Sequence, residues 1–83
     1  MNSTGLTLYT RPGCAFSAKV LLELAVMGLE IDERSIKHRE LQDELLKKGG
    51  KLQTPYLLNT ETGEGMYESD VIISYLHARF GEP

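Results

Sequence analysis

The one cysteine of the chain, Cys14, sits in Arg11-Pro12-Gly13-Cys14-Ala15-Phe16-Ser17, between a short apolar run and a helical pattern. A thiol at a strand-to-helix junction meets the unpaired N–H groups of the first helical turn and the positive end of its dipole. Both favour the thiolate, the form that attacks. A cysteine that only filled the core would sit inside an apolar stripe rather than beside Pro, Gly and Arg. Two other groupings carry chemistry. Thr54-Pro55 presents an extended main chain ahead of a strand. Glu68-Ser69-Asp70 opens a helix, where free N–H groups receive an anion. That trio also has a plain structural explanation, with Ser69 capping the helix and the acids complementing its dipole. Taken singly, each signal is weak, and Cys-x-x-Ser is the weakest.

The elements that must position these residues follow from hydrophobic periodicity. Leu6 to Thr10 alternates as a strand, and Pro12-Gly13 breaks it. From Ala15 to Met27, Phe16, Val20, Leu24 and Met27 recur at helical spacing, which predicts a helix covered on most sides and stopped by Gly28. Leu29 to Ile36 alternates loosely, as a strand near a sheet edge does. His38 to Lys48 predicts a second helix with Leu41, Leu45 and Leu46 on one stripe, ended by Gly49-Gly50. Pro55 to Leu58 and Met66-Tyr67 read as two strands joined by a hairpin turn over Asn59 to Gly65. Ser69 is the expected cap of a last helix whose Ile72, Ile73, Leu76 and Phe80 face inward before Gly81. Residues 1–5 are expected to be loose. The order β-α-β-α-β-β-α begins with a right-handed βαβ unit and predicts an α/β fold, a four-stranded mixed sheet flanked by three helices.

With 83 residues the chain makes one domain, 1–83. A net charge of −3, spread along the sequence, excludes a basic surface for nucleic acid and a polybasic membrane patch. No apolar run approaches the roughly 20 residues of a membrane span, and the N-terminus lacks the pattern of a signal peptide. A lone cysteine cannot staple a small secreted fold, so a cytoplasmic setting is expected. His38 and His77 are read as structural, with no second ligand at metal spacing. Tyr56, Tyr67 and Tyr75 are read as packing residues with their hydroxyls at the rim.

In this order and placement, the motifs resemble the glutaredoxin family, with a leaning toward the N-terminal domain of glutathione S-transferases. Tyr9 to Ser17 is similar to the glutaredoxin active-site stretch, with Cys14 as nucleophile. Thr54-Pro55 matches the residue and cis-proline that face this thiol in thioredoxin-like folds; the residues alone leave the isomer open. Tyr67-Glu68-Ser69-Asp70-Val71-Ile72-Ile73-Ser74-Tyr75-Leu76 resembles the Glu-Ser-x-x-Ile-x-x-Tyr-Leu signature of transferase N-terminal domains.

The resemblance implies glutathione as cofactor. The N–H groups of Ser69 and Asp70 would receive the γ-glutamyl carboxylate, and Glu68 or Asp70 the amine. Thr54, held by Pro55, would pair with the cysteinyl residue, and Arg11 would attract the glycine carboxylate, with Lys51 and Gln53 as further candidates. Phe16 stands beside the thiol. Because position 17 is Ser and no second Cys exists, the expected activity is that of a monothiol thiol-disulfide oxidoreductase. It acts on glutathionylated protein or small-molecule disulfides, with Ser17 either donating to the thiolate or only capping the first turn.

Two alternatives stand beside it: a glutathione-ligated 2Fe-2S cluster carried by a homodimer, and a non-catalytic glutathione-binding module. Ala15 departs from both the Pro and the Gly that glutaredoxins carry there, and the upstream Lys of the cluster-binding class is absent. Transferase activity is not expected from a chain that stops at Pro83, before a helical domain.

Overall fold

Alternation of Leu6 and Leu8 against Thr7 and Tyr9 gives the first strand two buried faces, so it belongs in the middle of the sheet. The computed structural model, which describes residues 3–81, places it there. Strand β1 (Ser3–Thr10) pairs in parallel with β2 (Glu30–Ser35) and antiparallel with β3 (Tyr56–Asn59). Strand β4 (Gly65–Tyr67) pairs antiparallel with β3, giving the order β2-β1-β3-β4. Helices α1 (Ala15–Met27), α2 (Arg39–Gly49) and α3 (Ser69–Phe80) complete the expected β-α-β-α-β-β-α sequence. None of the described helices is long and apolar enough to cross a membrane.

Two cores follow from the two faces of the sheet. Leu6, Leu8 and Leu57 pack with Val20 and Leu24 of α1 and Ile72 and Leu76 of α3. On the opposite face Tyr9 and Tyr56 pack with Ile36 and with Leu45 of α2. The Tyr9 hydroxyl donates to Glu44 Oε1 at 2.5 Å, and Arg34 of β2 donates to both oxygens of the same carboxylate. Helix α2 is therefore fastened to the sheet by a polar link as well as by Leu45.

Several expectations are corrected. Ser3 to Gly5 are not loose but open β1, because Thr4 Oγ1 donates to the Glu30 carbonyl at 2.6 Å and Thr60 N–H donates to the Gly5 carbonyl at 2.8 Å. Residues 1 and 2 lie outside the described part. Helix α1 is not covered on most sides: Phe16, Leu22 and Val26 are 62%, 66% and 74% exposed. Only the stripe Ser17–Val20–Leu24 is buried, because one face of the helix meets the sheet and α3. Ser69 is not the cap of α3 but its first residue. The cap is Glu68, with φ 74° and no side-chain capping bond.

Candidate functional site

Cys14 is the N-cap of α1, with extended backbone, and its sulfur takes the role a serine oxygen has in an ordinary cap. The Ser17 N–H donates to Sγ at 3.4 Å. From the other side Thr54 Oγ1 donates to the same sulfur at 3.6 Å. Burial pushes the thiol up, but the donors around it outweigh burial and bring its pKa down to about 7. Those donors are the Ser17 hydroxyl and N–H, the Thr54 hydroxyl and the Phe16 N–H. The Ser17 hydroxyl is buried and meets no hydrogen-bond geometry in the resting fold. Its influence on the sulfur is therefore a nearby dipole's rather than a formed bond's, and the Ser17 N–H is the firmer contact.

The Thr54–Pro55 peptide is cis, as the motif resemblance implies. Among the described residues the Thr54 N–H donates to no group of the chain, and its carbonyl faces only the Cys14 thiol, at 3.9 Å. A main-chain donor and acceptor thus stand free beside the sulfur, the arrangement that binds an extended peptide by β-like pairing.

Opposite this wall is the start of α3. Its N-cap contributes no side-chain acceptor, so the first-turn N–H groups at Ser69 and Asp70 remain available to an external anion. Glu68 holds φ 74°, a conformation uncommon for a residue with a Cβ. Backbone strain of this kind concentrates at binding sites, where a turn must aim donors in a fixed direction. Phe16, Gln53, Thr54, Pro55, Glu68, Ser69 and Asp70 line one open cavity of about 340 Å³. Gln53 Nε2 reaches Glu68 Oε1 across it at 3.5 Å.

Seven of the ten residues singled out in the sequence therefore meet in one cavity; Cys14 and Ser17 line the neighbouring one, and the Cys14 sulfur reaches the first through its bond from Thr54 Oγ1. Arg11 does not join them. It lines a separate cavity of about 520 Å³ on the other flank of Cys14, with Lys37 and Glu33, and the two cavities share no residue. Lys51 also stays outside, its Nζ 5.5 Å from the centre of the Tyr67 ring. The Asp70 carboxylate is engaged by Lys19 of α1 at 2.9 Å, which leaves Glu68 as the carboxylate facing the cavity without a cation partner among the described residues.

The tyrosines are more than packing. Tyr67 Oη bonds the main chain of Lys51, Tyr56 Oη donates to the Lys48 carbonyl, and Tyr75 Oη receives the buried Asn59 amide. Their partners are distant in sequence, and no local spacing announces them. No group of three or more His, Cys, Asp or Glu side chains gathers at metal-binding distance among the described residues.

A family model described as the glutathione S-transferase N-terminal domain matches residues 8–83. Of the two families the motifs resemble, the match is to the transferase one. No curated protein matches. Among solved structures, an epsilon-class glutathione S-transferase from the housefly Musca domestica is 26% identical with a TM-score of 0.76, over 94% of this chain and 36% of that one. The unclassified glutathione S-transferase 2 of Bombyx mori is 26% identical with a TM-score of 0.81, over 95% and 37%. The beta-etherase LigF of Sphingobium sp. strain SYK-6 is 32% identical with a TM-score of 0.79, over 94% and 32%. This chain spans about a third of the length of each.

Proposed function

The chain belongs to the glutathione S-transferase N-terminal domain family, and on that premise we propose that it binds glutathione between Thr54 and the start of α3, with the glutathione sulfur against Cys14. The observation that carries this reading is a thiol with pKa about 7 bonded by Thr54, itself a wall of a cavity that offers free main-chain groups at Thr54 and open N–H groups at Ser69 and Asp70. The γ-glutamyl carboxylate takes the α3 N-terminus, an anion placement worth about 0.3–1 kcal/mol and up to ~2 where partly buried. The amine takes Glu68. The cysteinyl N–H and carbonyl pair with Thr54, each bond contributing about 1 kcal/mol.

On this binding site the proposed chemistry is monothiol exchange. The Cys14 thiolate attacks the glutathione sulfur of a mixed disulfide, forming a Cys14–glutathione disulfide. The bond to the substrate sulfur breaks, and the substrate departs as a thiolate that takes a proton from water. A second glutathione thiolate then attacks the glutathione sulfur bound to Cys14, giving oxidised glutathione and the free Cys14 thiolate. Glutathione is the reductant: one glutathione thiol and one mixed disulfide become one substrate thiol and one oxidised glutathione, whose other half is the glutathionyl group taken from the substrate. A reducing compartment, rich in glutathione and keeping Cys14 free, is the setting this chemistry needs. The simpler member of the same reading is a glutathione-binding domain in which Cys14 does not turn over.

A coupled assay on a glutathione mixed disulfide decides between them. The exchange reading expects turnover that disappears in Cys14→Ser, a substitution that keeps a capping side chain on α1. A wild-type protein that binds glutathione yet leaves the disulfide intact would reduce the function to binding alone.

A further inference from the structure

We infer that Tyr67 is a positioning residue for the glutathione cavity, its hydroxyl locking the Gln53–Pro55 wall to the α3 wall. The inference rests on the glutathione reading above and deepens it. Tyr67 ends β4, and the next two residues are Glu68 and Ser69, so one wall is covalently its continuation. The other wall follows an irregular stretch from Gly50 to Pro55 that belongs to neither helix nor strand. Tyr67 Oη reaches into that stretch and uses both of its hydrogen-bonding capacities on one residue. It accepts from the Lys51 N–H at 3.1 Å and donates to the Lys51 carbonyl at 2.8 Å.

The ring that carries this hydroxyl is itself held. It packs tilted against Tyr56 with centroids 4.5 Å apart, and the Lys51 ammonium lies over it at 5.5 Å from its centre. Gly49, the last residue of α2, faces it so closely that a methyl group there would overlap the hydroxyl. Beyond the β3–β4 ladder, which pairs Tyr56 with Tyr67, the only other side-chain link between the two walls among the described residues is Gln53 to Glu68 at 3.5 Å, the outer limit of a hydrogen bond and open to water. Glutathione spans both walls, so its affinity depends on their spacing, whereas three of the four donors around the Cys14 sulfur belong to α1 and only the Thr54 hydroxyl belongs to the clamped wall.

Titration calorimetry with reduced glutathione on wild type, Tyr67→Phe and Tyr56→Phe tests this, together with the pH midpoint of Cys14 alkylation and steady-state exchange. Tyr67→Phe keeps the ring and removes only the clamp. It is expected to weaken glutathione binding by about three- to tenfold, to raise KM for the mixed disulfide by a similar factor, to leave kcat unchanged, and to move the Cys14 midpoint upward by no more than Thr54→Val does, since Thr54 is the one donor to the sulfur that the clamped wall carries. Tyr56→Phe, whose hydroxyl makes only a 3.4 Å bond to the Lys48 carbonyl, is expected to bind as wild type. Equal affinities for wild type and Tyr67→Phe would overturn the clamp while leaving the glutathione reading intact. Equal losses in both variants would also overturn it, because they would assign the effect to the aromatic stack. Absence of binding in wild type would instead remove the reading on which the clamp rests.

Discussion

Thr54 presents Cys14 with a donor and an acceptor at once: its hydroxyl donates to the sulfur at 3.6 Å, and its carbonyl stands 3.9 Å from the same atom. The neutral thiol has a weak acceptor to face, and the thiolate has a donor to receive. Because Thr54 also lines the cavity, the residue that positions a bound peptide is the one that tunes the nucleophile.

Alkylation of Cys14 is therefore expected to follow a single ionisation with midpoint about 7. A folded pKa below the free thiol's value of about 8.5 adds native stability that is complete above about 8.5 and lost as pH falls through about 7. Denaturation midpoints of wild type and Cys14→Ser should diverge in favour of wild type as pH rises across that window. A difference that stays constant with pH would contradict the assigned ionisation.

Thr54→Val removes the hydroxyl donor and keeps the branched shape. The alkylation midpoint is expected to move upward. An unchanged midpoint would leave Ser17, through its hydroxyl and N–H, and the Phe16 N–H as the whole cause of the lowered pKa.

Ser17→Ala separates two roles of one side chain. The hydroxyl is buried with no bonded partner, so its removal should leave the melting temperature unchanged or slightly raised. The Cys14 midpoint should still rise, since a nearby dipole is lost. A marked loss of stability would mean that the hydroxyl is bonded in solution.

Glu68→Gly tests the strained backbone. Glycine adopts φ near 74° without a Cβ penalty, so the variant is expected to gain about 1 kcal/mol in urea unfolding. It is also expected to bind glutathione more weakly, through loss of the amine's acceptor. A variant both less stable and equally tight would contradict both halves.

Arg11→Gln is expected to leave glutathione affinity unchanged within about twofold, because Arg11 lines the cavity on the other flank of the thiol. Calorimetry on the variant checks this directly. A large loss would return Arg11 to the role that the motif resemblance implies.

Much of the fold was legible because its signals are local. The alternation of Leu6 to Thr10, the Pro12-Gly13 break and Gly28, which takes φ 69° at the end of α1, each act within a few residues. The exposure of Phe16, Leu22 and Val26 was not, since periodicity says that a helix is apolar without saying how many of its faces meet a partner. Cys14, Thr54 and Ser69 were found from motif order. That Arg11 lines the other cavity was not legible, because three residues along the chain do not say to which flank a turn carries a side chain. The Tyr67 contacts were invisible because their partners are main-chain atoms, and Glu68 gave no warning of a positive φ that its residue type disfavours.

Amide-resolved NMR of the protein titrated with reduced glutathione tests the central claim most directly. The account predicts saturable shifts centred on the amides of Thr54, Ser69 and Asp70, with none at Arg11 or Lys37. Shifts confined to the Arg11–Lys37 flank, or no shifts at all, would contradict it.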